Sequence, residues 1–369
     1  MKEKLKYIIT IVLSAAIIFG FSGWFLLKAP TEYSESERRA LKLLPDFSIE
    51  NVLSGKYMSD FEDASPDQFP LRDLFRSIKA YASEYLFFRM DNNKIFQADG
   101  HLSKLEYPLK DDMIDYAGEK FTYIYENYIE GTDAKVYLSV VPDKNCFIAE
   151  NNGYLALNYD EFAEKMSAKT PFAQYIDIKP LLSADDYYTT DTHWRQESIT
   201  DIALKLLESM GTTGKGEYKE NVIDKPFYGV YYNQSGLKVP TDKLVYLTND
   251  AIDSAVVTNY DTGKPVSKPV YDMTKLDTPD LYEVFLSGTV AVSVMENKET
   301  AEKRELILFR DSFGSSVAPL LLEGYSKVTV VDIRYIASAA LRGVVDFENA
   351  DDVLFLYSTV LLNNSVAMK

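Results

Sequence analysis

The 369 residues are enough for one large domain or two ordinary ones, and a composition of 46% hydrophobic and 26% charged residues is that of a globular protein. The formal net charge of −17 argues against nucleic-acid binding, because so acidic a surface repels phosphate backbones. The single cysteine, Cys146, excludes a disulfide framework and a zinc site built on several cysteines, and we expect neither a metal nor a cofactor.

An apolar stretch near the N-terminus is long enough to cross a membrane. Residues 7–27 carry no charge, and at about 1.5 Å per residue they span a hydrocarbon core. Lys2, Lys4 and Lys6 precede the stretch and only Lys28 follows closely, so the positive-inside rule places the N-terminus in the cytoplasm and the rest of the chain outside. A cleaved signal peptide is the alternative, but the bulky residues 24–27 favour a retained single-pass anchor over residues 1–28.

Residues 29–105 are predicted to form a tether with a helical and hairpin extension. Short helices are expected near residues 34–44 and 57–62, and helical spacing of apolar positions predicts a further helix over residues 71–88. Residues 94–105 are interpreted as a β-hairpin with Asp99 and Gly100 in its turn, and His101 is interpreted as a turn residue.

The remaining residues, 106–369, alternate between strand-like and helix-like segments. Helices are predicted over residues 116–128, 160–168, 195–210 and 316–322, and strands over residues 134–141, 174–178, 305–309, 327–332 and 353–357. Continuous apolar strands are typical of a parallel sheet buried on both faces, so the predicted fold class is an α/β sandwich with a central, mostly parallel sheet. Residues 212–300 hold many turn signals and are expected to form a mixed insertion.

The first candidate motif is Thr-Thr-Asp-Thr-His-Trp at residues 189–194, directly ahead of the predicted helix at 195–210. An Asp that accepts from one imidazole nitrogen fixes the tautomer and leaves the other nitrogen as a base, which is the relation expected of Asp191 and His193. The alternative is a helix N-cap made by Asp191 or Thr192.

The second candidate motif is Arg-Asp-Ser-Phe-Gly-Ser-Ser at residues 310–316, between a predicted strand and a predicted helix. A serine at such a turn is exposed at the carboxyl edge of the sheet, and its own N–H can face a developing oxyanion. Helix capping is again the alternative. Together the motifs supply one nucleophile, Ser312, and one plausible base, His193, preceded by an orienting acid, Asp191.

Asp-x-His-Trp followed more than a hundred residues later by Asp-Ser-Phe resembles the alginate O-acetyltransferase family of SGNH-like proteins and, more closely, the bacterial DHHW family. The resemblance covers roughly residues 35–360. Its further matches are Asp-Gln-Phe-Pro-Leu-Arg at 67–72, Phe-Tyr-Gly at 227–229, Asp-Ile-Arg-Tyr at 332–335 and Asp-Val-Leu-Phe-Leu-Tyr-Ser at 352–358. It implies an SGNH-like three-layer sandwich with Ser312 as nucleophile, His193 as base and Asp191 as orienting acid.

Two positions depart from the pattern of these families. Thr192 stands where the DHHW signature has its first His, as in alginate-type members, and Arg310 stands where SGNH hydrolases often have glycine. The oxyanion donors implied are the backbone N–H groups of Ser312 and Gly229, with the side chain of Asn233 as a further candidate.

The function implied by the resemblance is O-acetyl transfer through an acyl-serine to hydroxyls of a secreted or cell-wall polysaccharide. Acetyl-CoA is cytoplasmic, so an outward-facing enzyme implies a membrane-bound O-acyltransferase as the partner that supplies acetyl groups. Two alternatives stay open: a carbohydrate esterase with the same triad, and a non-catalytic glycan-binding subunit of a polysaccharide export or modification complex, in which both motifs are helix caps.

Overall fold

In a computed structural model, which describes residues 2–34, 37, 39–87, 89–260, 264–297 and 303–369, the chain divides into two compact units. The first comprises Met1–Asn93 and Tyr232–Lys238, and the second comprises Lys94–Tyr231 and Val239–Lys369. The division after Asn93 differs from the sequence-based boundary after residue 105 by the predicted hairpin, which belongs to the second unit.

The first unit is built mainly from helices. Its helices are α1 (Lys2–Leu27), α2 (Ile49–Leu53), α3 (Lys56–Gln68) and α4 (Arg72–Tyr81), and a π-helical turn, Ala82–Leu86, follows α4. Residues Glu3–Leu27 of α1 have a mean hydropathy of 2.1 and none of that stretch is buried, a length and composition that a membrane span and a signal sequence share.

The helix predicted over residues 34–44 is not found, although residues 35, 36 and 38 lie outside the described residues. Instead, β1 (Tyr33–Ser34) pairs antiparallel with β2 (Arg39–Ala40). The buried carboxylate of Asp67 accepts hydrogen bonds from the Arg39 guanidinium and from the Lys42 backbone N–H, and these contacts hold the segment extended. The helix predicted over residues 71–88 is divided into α4 and the π-helical turn, and its last residue, Phe88, lies outside the described residues.

The second unit contains the remaining elements. Its strands are β3 (Ile95–Ala98), β4 (His101–Lys104), β5 (Lys135–Val141), β6 (Gln174–Tyr175), β7 (Lys219–Phe227), β8 (Asp242–Thr248), β9 (Val256–Asn259), β10 (Val266–Lys268), β11 (Val292–Glu296), β12 (Glu305–Arg310), β13 (Lys327–Val331) and β14 (Asp352–Ser358). Its helices are α5 (Asp111–Ile124), α6 (Asn145–Ile148), α7 (Tyr159–Lys169), α8 (Thr200–Ser209), α10 (Asp250–Asp253), α11 (Gly314–Val317) and α12 (Thr359–Leu362), while α9 (Val230–Ser235) runs across the boundary between the units.

Eight strands form the central sheet, in the order β10-β9-β11-β13-β12-β14-β5-β6. Neighbours from β13 to β6 are parallel, while β11, β9 and β10 join by antiparallel pairing. Residues 256–296, within the predicted insertion, therefore supply three strands of the sheet itself. The fold class predicted from the sequence, an α/β sandwich around a mostly parallel sheet, is confirmed.

Both faces of the sheet are buried because apolar residues fill successive strand positions. In β12, Leu306 and Leu308 belong to one core while Ile307 and Phe309 belong to the other. Helix α8 packs into the first core, and α5 and α7 pack into the second, which gives the three layers. This arrangement brings the carboxyl ends of β5, β12 and β14 to one edge of the sheet.

Candidate active site

The Asp-Thr-His-Trp segment lies in a loop, residues 188–193, that an antiparallel bridge between Tyr187 and Trp194 closes at its base. The α-helix predicted from residue 195 begins only at Thr200, with Ile199 at its N-cap, after a 3₁₀ turn. The interpretation of Asp191 or Thr192 as a helix cap is therefore wrong.

Ser312 lies in the tight turn that joins β12 to α11. The turn is held by the buried Asp311, whose Oδ1 accepts from the Phe313 N–H at 3.0 Å. Its Oδ2 accepts from the N–H and the hydroxyl of Ser358, at 2.9 and 2.5 Å, which ties the turn to the end of β14. A Cβ on Gly314 would lie 2.4 Å from the Arg310 Cβ, so only glycine fits directly behind the serine turn.

The structure brings Ser312, His193 and Asp191 together although 119 residues separate the serine from the histidine. The His193 Nε2 lies 2.7 Å from the Ser312 Oγ, and its Nδ1 lies 2.6 Å from the Asp191 Oδ1. Asp191 and His193 are buried and Ser312 is half-buried. These distances are those that a serine nucleophile, a base and an orienting carboxylate require.

Trp194 connects the 188–193 loop with the turn that carries Ser312. Its indole N–H lies 3.1 Å from the Phe313 carbonyl oxygen and 2.9 Å from the Ser316 Oγ, and the side chain is fully buried. The Tyr282 hydroxyl also donates to the Ser316 Oγ, at 2.9 Å, and its ring stacks on the His193 imidazole at 3.9 Å and 6°. The imidazole is thus held between its hydrogen bonds and a stacked ring, and Tyr282 is a site residue that sequence reasoning missed.

The carboxylate of Asp191 is fixed by backbone groups. Its Oδ1 also accepts from the His193 backbone N–H at 3.1 Å, and its Oδ2 accepts from the Val230 N–H at 2.7 Å. One residue earlier, the Gly229 N–H donates to the Thr190 Oγ1 at 2.9 Å. A Cβ on Gly229 would lie 2.2 Å from the Thr190 carbonyl oxygen, so only a glycine allows the backbone at this position to approach the 188–193 loop so closely.

Two further charged residues, Lys144 and Asp242, form hydrogen bonds with the backbone of the 188–193 loop. The buried Lys144 ammonium donates to the carbonyl oxygens of Leu102, Tyr188 and Thr189, at 2.6, 2.7 and 3.2 Å. Burial lowers the pKa of Lys144 to about 7, although the nearby Asp191 and Asp242 carboxylates oppose this shift. Asp242 accepts from two backbone N–H groups of the loop, at residues 189 and 190, both at 2.8 Å. Nothing in the sequence marks either residue, because their partners come from distant segments.

The predicted oxyanion donors are Ser312, Gly229 and Asn233, and backbone groups of Gly229 and Asn233 have hydrogen-bond partners in the structure. Ser312 stays a predicted donor through its own N–H. The Gly229 N–H is directed at Thr190, so this geometry does not support Gly229 as a donor to the substrate. Asn233 belongs to the first unit, where its carbonyl oxygen accepts from Arg76 at 3.0 Å. Arg310 is buried and its guanidinium pairs with Asp332 at 3.2 Å.

Neither His101 nor Cys146 belongs to the triad. His101 is the first residue of β4 rather than a turn residue, and it is buried, which lowers its pKa. Burial raises the pKa of the Cys146 thiol to about 12. Among the described residues, no group of three or more His, Cys, Asp and Glu side chains could hold a metal ion.

The sequence matches no protein-family model and no curated protein sequence. Among solved structures, a DHHW family protein from Eubacterium siraeum is similar over 75% of this chain and 94% of its own, with 20% identity and a TM-score of 0.53. Bacillus cereus PatB1, solved with a sulfonyl adduct, is similar over 73% of this chain and 95% of its own, with 19% identity and a TM-score of 0.57.

The O-acetyltransferase domain of Pseudomonas putida AlgJ is more distant. It shares 12% identity with this chain at a TM-score of 0.44, over 73% of this chain and 92% of its own. The chain shares the fold of a DHHW family protein and of PatB1, and the resemblance read from its sequence is confirmed at that level.

Proposed function

We propose that this chain is a membrane-anchored, extracytoplasmic O-acetyltransferase that works through an acyl-serine at Ser312. The observation that carries the proposal is the pair of contacts of His193, at 2.7 Å to the Ser312 Oγ and at 2.6 Å to the Asp191 Oδ1. A serine hydroxyl is a weak nucleophile until an adjacent base takes its proton. The resemblance to the alginate O-acetyltransferase and DHHW families favours acetyl as the acyl group.

In the first half of the reaction, the Ser312 Oγ attacks the carbonyl carbon of an acetyl ester while the His193 Nε2 accepts its proton. The bond to the leaving group breaks, His193 protonates the leaving oxygen, and acetyl-serine remains. The Asp191 carboxylate keeps the proton of the imidazole on Nδ1 and stabilises the imidazolium. Stacking of Tyr282 on the ring restricts its rotation in both steps.

In the second half, His193 takes the proton of an acceptor hydroxyl, whose oxygen attacks the acetyl-serine. The new ester leaves with the acetyl group, and the proton returns to the Ser312 Oγ. We propose a polysaccharide hydroxyl as the acceptor and a membrane-bound O-acyltransferase as the partner that brings acetyl groups across the membrane. Helix α1 would hold the enzyme beside that partner, with the N-terminus in the cytoplasm.

The same three side chains would support ester hydrolysis if water took the place of the acceptor hydroxyl. An esterase is therefore the second candidate, and it is favoured by the same contacts of His193. The two candidates differ in product: transfer gives an acetylated sugar, whereas hydrolysis gives free acetate.

The test uses the full-length chain purified in detergent, a fluorophosphonate probe and a chromogenic acetyl ester. Wild-type protein and a Ser54→Ala control, which removes an exposed serine of the first unit, should label and turn over the ester, while Ser312→Ala should do neither. Addition of a neutral oligosaccharide, followed by mass spectrometry, separates acetylated sugar from free acetate. Labelling that persists in Ser312→Ala would remove Ser312 as the nucleophile, and wild-type protein that neither labels nor turns over the ester would remove the enzyme proposal and favour a binding subunit.

A further inference from the structure

Helix α4 and its flanking residues carry a row of large apolar side chains on the outside of the first unit. Apart from one adjacent pair, the members follow each other at three- or four-residue steps, which puts them on one helical face, and each is between 39% and 60% exposed. We call this row the α4 stripe, and it consists of Leu71, Leu74, Phe75, Ile78, Tyr81 and Tyr85. The side chains of Ala80 and Ser83, on another face, are buried. An apolar face turned outward needs an occupant.

The α4 stripe is continuous with helix α1 through aromatic contacts. The Phe21 ring stacks on Phe69 at 5.7 Å and 2°, and it meets the Phe75 ring edge-on at 5.9 Å. Four residues further along α1, the Phe25 ring meets Phe61 of α3 at 5.9 Å. These rings line an apolar cleft of about 800 Å³ between α1, α3 and α4.

The position of these contacts along α1 fixes their depth relative to a membrane. The apolar stretch of α1 ends at Leu27, so Phe21 lies about 9 Å and Phe25 about 3 Å before its outer end at 1.5 Å per residue. When α1 spans the bilayer, the rings packed on Phe21 and Phe25 therefore lie about 3–9 Å inside the outer end of the apolar stretch. Amphipathic helices insert about 5–10 Å into the boundary between headgroups and acyl chains, which is a similar depth. Lipid, rather than water or a soluble protein, surrounds a side chain at that depth.

The positions of the charged side chains of α4 are compatible with this placement in the membrane boundary. The Arg72 and Arg76 guanidinium groups turn away from the stripe to pair with Glu37, at 2.6 and 3.2 Å. The exposed charged residues Asp73 and Lys79 flank the stripe on the helix surface. The apolar side chains can therefore enter the boundary without taking a charge with them.

We propose that helix α4 lies in the outer boundary of the bilayer, where the α4 stripe contacts acyl chains and headgroups. The helix would then be a second membrane contact in addition to the anchor. This inference rests on the retained anchor of the proposed function and does not depend on the acetyl transfer. It makes the first unit a membrane-bound platform rather than a free tether.

The test places single nitroxide labels on the full-length chain in liposomes of phosphatidylcholine and phosphatidylglycerol, in a Cys146→Ser background. Labels on Leu74→Cys and Ile78→Cys should collide more often with oxygen than with a water-soluble nickel chelate. Labels on Asp73→Cys and Lys79→Cys, matched controls on the same helix, should show the opposite ratio. A label on Ile11→Cys reports the anchor itself.

The α4 contact would be overturned, and the anchor left intact, if the Ile11 label lies in lipid while the Leu74 and Ile78 labels collide with the nickel chelate as often as the control labels do. A water-exposed Ile11 label would overturn both. Labels at Leu74 and Ile78 protected from both collision partners would indicate a protein contact, such as a second copy of the chain, and would also overturn the lipid contact.

Discussion

Substitution of Gly229 tests whether the geometry of the proposed triad depends on the backbone that supports Asp191. The Cβ of alanine would lie 2.2 Å from the Thr190 carbonyl oxygen and 2.4 Å from the Asp191 nitrogen, against the 3.0 Å below which real contacts are essentially never found. Gly229→Ala must therefore displace the loop by at least 0.8 Å, the difference between 3.0 and 2.2 Å. A misplacement of about 1 Å costs about 10²-fold in rate, or about 2.7 kcal/mol of transition-state stabilisation.

The assay measures the rate of fluorophosphonate labelling and of acetyl-ester turnover in Gly229→Ala, with circular dichroism as the check on folding. We expect both rates to fall about 10²-fold, with a loss of about 1–3 kcal/mol in the free energy of unfolding from overpacking. Gly20→Ala is the matched control, because a Cβ there meets nothing within 4 Å. Wild-type rates in folded Gly229→Ala would refute the reasoning.

Three further predictions concern residues of the second unit. Ser312→Ala and His193→Ala should each lower ester turnover by about 10³-fold or more, and the double variant should lose little beyond either one; additive losses would contradict a shared step. The pKa of Lys144 is lowered to about 7 from 10.5, so between these pH values the unfolded chain binds a proton that the folded chain does not, and stability rises with pH by at most about 5 kcal/mol. Urea titrations of Lys144→Met at pH 7 and pH 10 should lack this rise, and curves parallel to wild type would contradict it. Burial raises the pKa of Asp143 to about 6 from 3.8, so wild type should lose about 3 kcal/mol as the pH rises from 4 to 7 and Asp143→Asn should not; equal losses in urea titrations would count against the shift.

The strands of the sheet could be predicted where both faces are buried, because continuous apolar runs such as Ile307 to Phe309 have few other interpretations. The strands β9 to β11 could not, since they are short and carry polar residues such as Thr258 and Ser293 among their apolar ones. The start of α8 was predicted too early for a tertiary reason. Gln196 is buried, and its side chain bonds the Ser316 carbonyl oxygen and the Leu247 N–H, which favours a 3₁₀ turn at that point.

In the candidate site, too, the residues whose role depends on tertiary contacts could not be predicted from the sequence. Ser312, His193 and Asp191 could be chosen from the sequence because the chain offers only two histidines, and one of them follows an acid. Lys144 could not be chosen, because its three carbonyl partners come from segments 42 to 45 residues away. The motif at 227–229 predicts Gly229 as an oxyanion donor, whereas in the structure the absence of a side chain at Gly229 allows its backbone to approach the backbone of Thr190 closely.

Asp191 and His193 are two residues apart, and the backbone N–H of His193 already bonds the Asp191 carboxylate, so the acid and the base form a local pair. Ser312 reaches that pair only when β12 has docked in the sheet, across 119 residues of chain. Serine reactivity is therefore a reporter of the cooperative folding transition. In a denaturant titration, probe labelling of Ser312 should disappear with the loss of the parallel sheet, at the same midpoint as the far-ultraviolet signal.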